Sequence, residues 1–202
     1  MSTRAIILDV GGVIVHERDQ TGRAKWEAQL GLLPGELTRL VFGTESGARA
    51  ALGQATESMV WTEVGSQLAL TDAQTTDLRR DFWSGEQLDT GLVTFIQGLR
   101  PQYRIGILSN AWSDARSIHN AKFKFDDWVD LAVYSAEVKL LKPDPRIYRL
   151  VLSGLKLAAV ECIFVDDKLA NVLAAQALGM EGVWFRDTRQ TIDDITECLF
   201  RR

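Results

Sequence analysis

Four short segments of the sequence carry side chains able to attack, to hold a cation or to bind an anion. In Leu8-Asp9-Val10-Gly11-Gly12-Val13 a carboxylate follows an apolar run, and two glycines behind it permit a sharp turn and close backbone approach by a ligand. Asp9 can therefore act as a nucleophile or as a ligand. In Ile105-Gly106-Ile107-Leu108-Ser109-Asn110 a hydroxyl and an amide follow an apolar run directly, and both can hydrogen-bond an anionic oxygen. In Leu141-Lys142-Pro143-Asp144-Pro145, Pro143 keeps Lys142 out of helical geometry, while Pro145 suits the first turn of a helix capped by Asp144. Lys142 is thus fixed in a loop.

The fourth segment, Phe164-Val165-Asp166-Asp167-Lys168-Leu169-Ala170-Asn171, ends an apolar run with two adjacent carboxylates before a helix that stops near Gly179. Adjacent like charges resist joint ionisation unless a cation neutralises them, and oxygen ligands with partial hydration suit Mg²⁺. Each feature also has a plainer reading. Paired acids commonly cap helices, a serine after a strand is an ordinary turn residue, and a loop lysine is usually a solvated charge. The joint occurrence of all four favours chemistry.

These residues need a frame that brings them together. Apolar runs at Ala5–Val10, Arg104–Leu108, Leu131–Tyr134, Cys162–Val165 and Gly182–Phe185 read as buried parallel strands. Between them, Gly91–Leu99, Ser113–Lys122, Pro145–Leu152 and Leu169–Leu178 place apolar residues at helical spacing. That alternation predicts an α/β doubly wound, Rossmann-like parallel sheet, in which ligands bind beyond the carboxyl ends of the strands. All four segments lie at such ends.

The alternation fails between Glu17 and Leu88, where no strand is evident. Helical stretches are expected instead at Arg23–Leu30, Gly35–Phe42 entered through Pro34, Ser58–Leu70, and Asp72–Trp83 capped by Thr71. The predicted division is a core of residues 1–16 and 89–202 with an all-helical insertion at 17–88 after the first strand. There is no internal repeat and no low-complexity tract.

Composition narrows the partners. Of 202 residues, 46% are hydrophobic and 25% charged, which is the balance of a globular chain able to bury a core. The net charge is −4 and basic residues are scattered, so nucleic acid is not an expected partner. The run Ala5-Ile6-Ile7-Leu8 is too short for a signal segment, and nothing approaches the roughly 18 apolar residues of a membrane span. Cys162 and Cys198 are too few for a disulfide framework, which fits a reducing cytoplasm. Nothing in the sequence speaks to oligomeric state.

Taken in order, Asp9-Val10-Gly11-Gly12-Val13, Ser109-Asn110, Lys142 and the Asp166-Asp167 pair resemble the motifs of the haloacid dehalogenase-like superfamily, over most of residues 5–185. The helical block resembles the cap that the superfamily inserts after its first motif. The resemblance implies an Mg²⁺-dependent phosphohydrolase acting on a small phosphorylated metabolite, in which Asp9 forms an aspartyl-phosphate that water then cleaves. It implies Mg²⁺ held by the Asp9 carboxylate, the Gly11 backbone carbonyl and Asp167, with Asp166 a direct or water-mediated ligand. Ser109 and the backbone near Asn110 would bind phosphoryl oxygens, Lys142 would offset developing charge, and Asn171 would support the acidic loop.

One departure stands out. Phosphatases of the superfamily usually place a second aspartate, an acid–base group, two residues after the first, and this chain has Gly11 there. The Asp-x-Gly form resembles a subgroup of sugar-phosphate phosphatases. Loss of acid–base help, worth about 10²–10⁴-fold, predicts better turnover of esters with acidic leaving groups. A substitute donor could come from His16, Glu17, elsewhere in the cap, the substrate or bound water. His16 and Trp112 are candidates for a substrate wall, His119 reads as a packing residue, and Trp26, Trp61 and Trp83 read as cap packing. Two other readings stay open: a metal-independent 2-haloacid dehalogenase, and a catalytically weak binding or regulatory member. A response-regulator receiver is disfavoured, because its acidic pair belongs to the first strand.

Overall fold

The computed structural model describes residues 3–200; residues 1, 2, 201 and 202, within the expected bounds of the core, lie outside the described residues. Among the described residues there are seven strands: β1 (Ala5–Leu8), β2 (Val15–Glu17), β3 (Glu86–Leu88), β4 (Arg104–Ser109), β5 (Leu131–Tyr134), β6 (Cys162–Asp166) and β7 (Glu181–Trp184). Five of them form one sheet in the order β5-β4-β1-β6-β7, and every neighbouring pair is parallel. The chain runs outward from β1 through β4 to β5, then returns to the other side of β1 through β6 to β7. The crevice of such a sheet opens where the winding reverses, at the carboxyl end of β1.

Both faces of the sheet are covered, which explains why its strands read as unbroken apolar runs. Along β1, Ile6 and Leu8 join Ile107, Val165 and the helix residues Leu92, Ile96 and Ile195 on one side. Ala5 and Ile7 join Leu108, Phe164, Tyr148 and Val151 on the other. The covering helices are α6 (Thr90–Gly98), α7 (Ala115–Phe123), α8 (Ser135–Val138), α9 (Pro145–Leu155), α10 (Leu169–Ala177) and α11 (Thr188–Phe200). Asp144 caps α9 by accepting the Arg146 N–H at 2.8 Å, with Pro145 in the first turn.

Several bounds differ from those read in the sequence, for local reasons. β1 ends at Leu8 rather than Val10, because the Val10 carbonyl accepts the N–H groups of Val13, Ile14 and Val15 and so closes a turn. β4 and β6 each run one residue further, and this takes Ser109 and Asp166 into the ladder opposite Tyr134 and Trp184. β2 and β3 were not anticipated. They pair antiparallel with Glu17 opposite Glu86, as three-residue strands too short for alternation to register.

Between β2 and β3 the chain is helical: α1 (Thr21–Leu30), α2 (Glu36–Gly43), α3 (Glu45–Ala51), α4 (Glu57–Gln67) and α5 (Asp72–Trp83). α5 begins with a reciprocal Thr71–Gln74 capping box. α3 escapes a periodicity reading because it is short and rich in Ala and Gly; Thr44 caps it through the Gly47 N–H. These helices enclose an apolar cluster of their own, with Trp26, Leu37, Val41, Trp61, Leu78 and Phe82 at its centre. Trp112, from the loop after β4, packs against that cluster, and the Ser135 hydroxyl donates to the Ala51 carbonyl at 2.7 Å. Among the described residues, no helix is long and apolar enough to cross a membrane.

Candidate active site

Asp9 leaves the sheet where the winding reverses, and its N–H donates to the Val165 carbonyl at 2.9 Å. Its Oδ1 accepts the Val10 N–H at 2.7 Å and lies 2.9 Å from Lys142 Nζ. The same ammonium donates to Asp166 Oδ2 at 2.7 Å, so one cation bridges two buried carboxylates. Lys142 is itself held in place. Asn110 Nδ2 donates to the Lys142 carbonyl at 2.9 Å, and the Lys142 N–H donates to Asn110 Oδ1 at 2.8 Å. The Asn110 side chain thus fixes the lysine loop, and Asn110 and the buried Ser109 both border a cavity.

Asp166 is saturated with donors: Lys142, Asn171 Nδ2 at 3.0 Å to each carboxylate oxygen, and the Lys168 N–H at 2.8 Å. Asn171 is oriented in turn by Tyr148, whose hydroxyl donates to the Asn171 carbonyl at 2.9 Å. The capping alternative for the acidic pair fails here. The cap of α10 is Lys168, and that residue makes no side-chain capping bond. Asp167 differs from its neighbour. Its Oδ1 is buried without a hydrogen-bond partner, whereas its backbone carbonyl accepts from Trp184 Nε1 at 2.9 Å.

Gly12 makes room for Asp167. Its φ is +81°, and a Cβ built there would lie 2.7 Å from Asp167 Oδ2. Gly11 has no such constraint, since a Cβ there meets nothing within 4 Å. One carboxylate oxygen from each of Asp9, Asp166 and Asp167 can be chosen so that all lie within 4.8 Å of one another. Against three carboxylates the cluster supplies one ammonium, and burial pushes the Asp9 carboxyl up to about 6, with Lys142 opposing and Asp166 adding. Burial also raises Asp167, again with Asp166 adding. The arrangement can hold an oxygen-seeking cation beside a buried carboxylate.

A cavity of about 290 Å³ is lined by Gly11, Gly12, Ser109 and Asn110, chain neighbours of the cluster, together with Glu17, Arg23, Phe42, Trp83, Glu86 and His119. Sequence reading missed Arg23, Phe42 and Glu86 as lining residues and took Trp83 and His119 for packing; only the fold brings these residues over the site. Burial lowers His119 to about 4, and its Nδ1 sits 3.3 Å from the Tyr134 hydroxyl.

Two expected wall residues lie elsewhere. Trp112 borders the adjoining cavity with Trp83 and Ile118, and its indole N–H donates to the Gly47 carbonyl at 3.1 Å. His16 points to the far side of β2, against the Phe185 ring and 3.3 Å from Asp89 Oδ2.

The sequence matches the family described as haloacid dehalogenase-like hydrolase over residues 3–179. The chain belongs to that hydrolase family. Its relatives include the sesquiterpene phosphatase astK of Aspergillus oryzae, 32% identical over 138 residues, which are 67% of this chain and 66% of that one. Among solved structures, a predicted HAD-like family hydrolase from Porphyromonas gingivalis superposes with a TM-score of 0.78 at 22% identity, covering 100% of both chains. The HAD family enzyme bt-2542 of Bacteroides thetaiotaomicron, in complex with magnesium and inorganic phosphate, gives a TM-score of 0.76 at 21% identity, covering 92% of this chain and 95% of that one. The chain spans 66%, 17% and 36% of the length of three curated relatives that it matches.

Proposed function

We propose that this haloacid dehalogenase-like hydrolase is an Mg²⁺-dependent phosphohydrolase that attacks a small phosphorylated metabolite through Asp9. The observation that carries the reading is the convergence of Asp9, Lys142, Asp166 and Asp167 on one cluster, with Asp167 Oδ1 buried and unpartnered. An orphaned carboxylate oxygen and an excess of negative charge are what a divalent cation relieves, so the residues fit Mg²⁺. Asp9, Asp167 and the Gly11 carbonyl would hold it. Asp166, already saturated, would reach it through water. Bound there, Mg²⁺ supplies neutralisation of charge between the carboxylate and the phosphoryl group.

The remaining chemistry falls to the chain. An Asp9 carboxylate oxygen attacks phosphorus, the bond to the leaving-group oxygen breaks, and an aspartyl-phosphate remains; water then attacks phosphorus, releasing phosphate and restoring Asp9. The Ser109 hydroxyl and the Asn110 backbone N–H bind phosphoryl oxygens, while Lys142 balances charge that builds on Asp9 and the transferring group. Residues 17–88 act as the cap, covering the cavity from the side opposite Ser109 and choosing the leaving group. Its relatives support this reading: astK is a sesquiterpene phosphatase, and bt-2542 is seen in complex with magnesium and inorganic phosphate. A sugar phosphate suits the lining. Glu17, Glu86 and Arg23 can engage hydroxyls, and Phe42 and Trp83 offer ring faces.

The test is a phosphate-release screen over sugar phosphates, nucleotides, phosphoamino acids and aryl phosphates, with and without chelator. Release that vanishes on chelation and in Asp9→Asn supports the reading. Halide release from a 2-haloacid that survives chelation supports the dehalogenase instead, and undiminished hydrolysis in Asp9→Asn supports the weak binding member.

A further inference from the structure

The phosphatase reading leaves the leaving group without a proton donor, because residue 11 is glycine. The short β2–β3 ribbon brings an acidic residue into the lining of the same cavity. Gly11 forms an isolated bridge with Val15, so β2 starts beside the first motif. Side chains of a strand alternate between its faces. Val15 and Glu17 line the cavity that holds Gly11, Gly12 and Ser109, while His16 lines a neighbouring one with Asp89 and Phe185, which Glu17 also borders. Of the two donors at the cap entrance, Glu17 and not His16 borders the cavity that holds Gly11 and Ser109.

The carboxyl of Glu17 is enclosed at the edge of that cavity. Its side chain is 17% exposed, yet both oxygens are shielded from solvent and neither has a hydrogen-bond partner, although the Arg23 guanidinium is in ion-pair contact with Oε2. Space for it comes from Gly85, where a Cβ would fall 1.9 Å from Glu17 Oε1. Glu86 stands directly opposite on β3 and is itself engaged with Lys122, whose Nζ is 3.6 Å away. Burial raises the Glu17 carboxyl above its ordinary range; Arg23 and Lys122 oppose this, and Glu86 and Asp19 add to it.

We propose that Glu17 supplies the acid–base function that Gly11 cannot. As Asp9 attacks phosphorus and the bond to the leaving-group oxygen breaks, the Glu17 carboxylic acid, its side chain turned from Arg23 into the cavity, gives its proton to that oxygen. The alcohol departs and Glu17 is left as a carboxylate facing Arg23. When water attacks the aspartyl-phosphate, Glu17 takes the proton from that water as the bond between phosphorus and the Asp9 oxygen breaks. The carboxylic acid is thereby restored.

A series of phosphate monoesters from 4-nitrophenyl to simple alkyl, assayed with Mg²⁺, tests this in the wild type and in Glu17→Gln. The proposal expects a shallow dependence of kcat/KM on leaving-group pKa in the wild type, replacing the preference for acidic leaving groups that Gly11 alone implies. In Glu17→Gln, alkyl esters lose about 10²-fold or more and the 4-nitrophenyl ester less than about tenfold, since a good leaving group needs no proton. Retained 4-nitrophenyl activity also reports a folded site. Gly11→Asp in the Glu17→Gln background is expected to recover alkyl-ester turnover, as nothing lies within 4 Å of a Cβ at that position. A steep wild-type dependence, or an equal loss on every ester, overturns the role of Glu17 and leaves the phosphatase reading standing. Failure of the wild type to release phosphate from any ester overturns both.

Discussion

Replacing Lys142 by methionine removes the one cation between two buried carboxylates while keeping most of its volume. The ammonium lies 2.9 Å from Asp9 and 2.7 Å from Asp166, and its side chain is 1% exposed, so water cannot take its place without rearrangement. Removing one partner of such a group costs about 3–5 kcal/mol. Asp166 retains Asn171 and the Lys168 N–H, so most of the cost falls on Asp9. Its carboxyl is already raised from 3.8 to about 6 with the lysine present. An acid with a raised folded-state pKa binds its proton more tightly folded than unfolded, so stability falls as pH rises between the two values. In the wild type that window runs from 3.8 to about 6. Without Lys142 its upper end moves higher, at about 1.4 kcal/mol for each further unit. Urea unfolding in chelator, followed by circular dichroism at about pH 5 and about pH 8, reads the result directly. The variant is expected to lose about 3–5 kcal/mol at the higher pH and clearly less at the lower. A loss below about 1 kcal/mol at both, or a larger loss in acid, refutes the buried-cation argument.

Three further outcomes follow from the same geometry. Gly12→Ala forces a Cβ against Asp167 in a left-handed backbone, and is expected to weaken Mg²⁺ binding about 10–100-fold by calorimetry, whereas Gly11→Ala changes stability by less than about 0.5 kcal/mol. Mg²⁺ at about a hundredfold excess over its Kd is expected to stabilise the wild type by about 2.7 kcal/mol in thermal melts, an effect that Asp167→Asn largely abolishes. Trp112→Ala, at a partly buried position, is expected to cost about 1–3 kcal/mol of stability with little change in KM for a small phosphate ester; a large rise in KM at unchanged stability would return Trp112 to the substrate wall.

The parallel sheet and the positions at its strand ends were legible because burial on both faces forces long apolar runs, and acidic and hydroxyl residues interrupt those runs at one end. Asp9, Ser109, Asp166 and Asp167 announce themselves by breaking a pattern, and Lys142 by the proline that follows it. Glu17 does not. It belongs to a three-residue strand, where alternation has no length in which to show, and its partner Glu86 comes from the far end of the helical block. Arg23 and Phe42 face the cavity only because five helices fold back over the sheet, a matter of tertiary packing that periodicity does not encode. Asn110 was legible as a polar residue after a strand, but its two hydrogen bonds to the Lys142 backbone depend on two loops meeting. Trp112 and His16 show the limits of proximity in sequence. Trp112 is drawn to the aromatic cluster of Phe42 and Trp83, and strand alternation turns His16 away.

The most direct test of Asp9 as nucleophile is peptide mass spectrometry of the protein quenched in acid during turnover of a phosphate ester. The account predicts a phosphoryl group on the peptide containing Asp9, labile to hydroxylamine, absent from Asp9→Asn and absent when Mg²⁺ is chelated. Steady phosphate release with no phosphoryl group ever found on that peptide, and undiminished in Asp9→Asn, would contradict it.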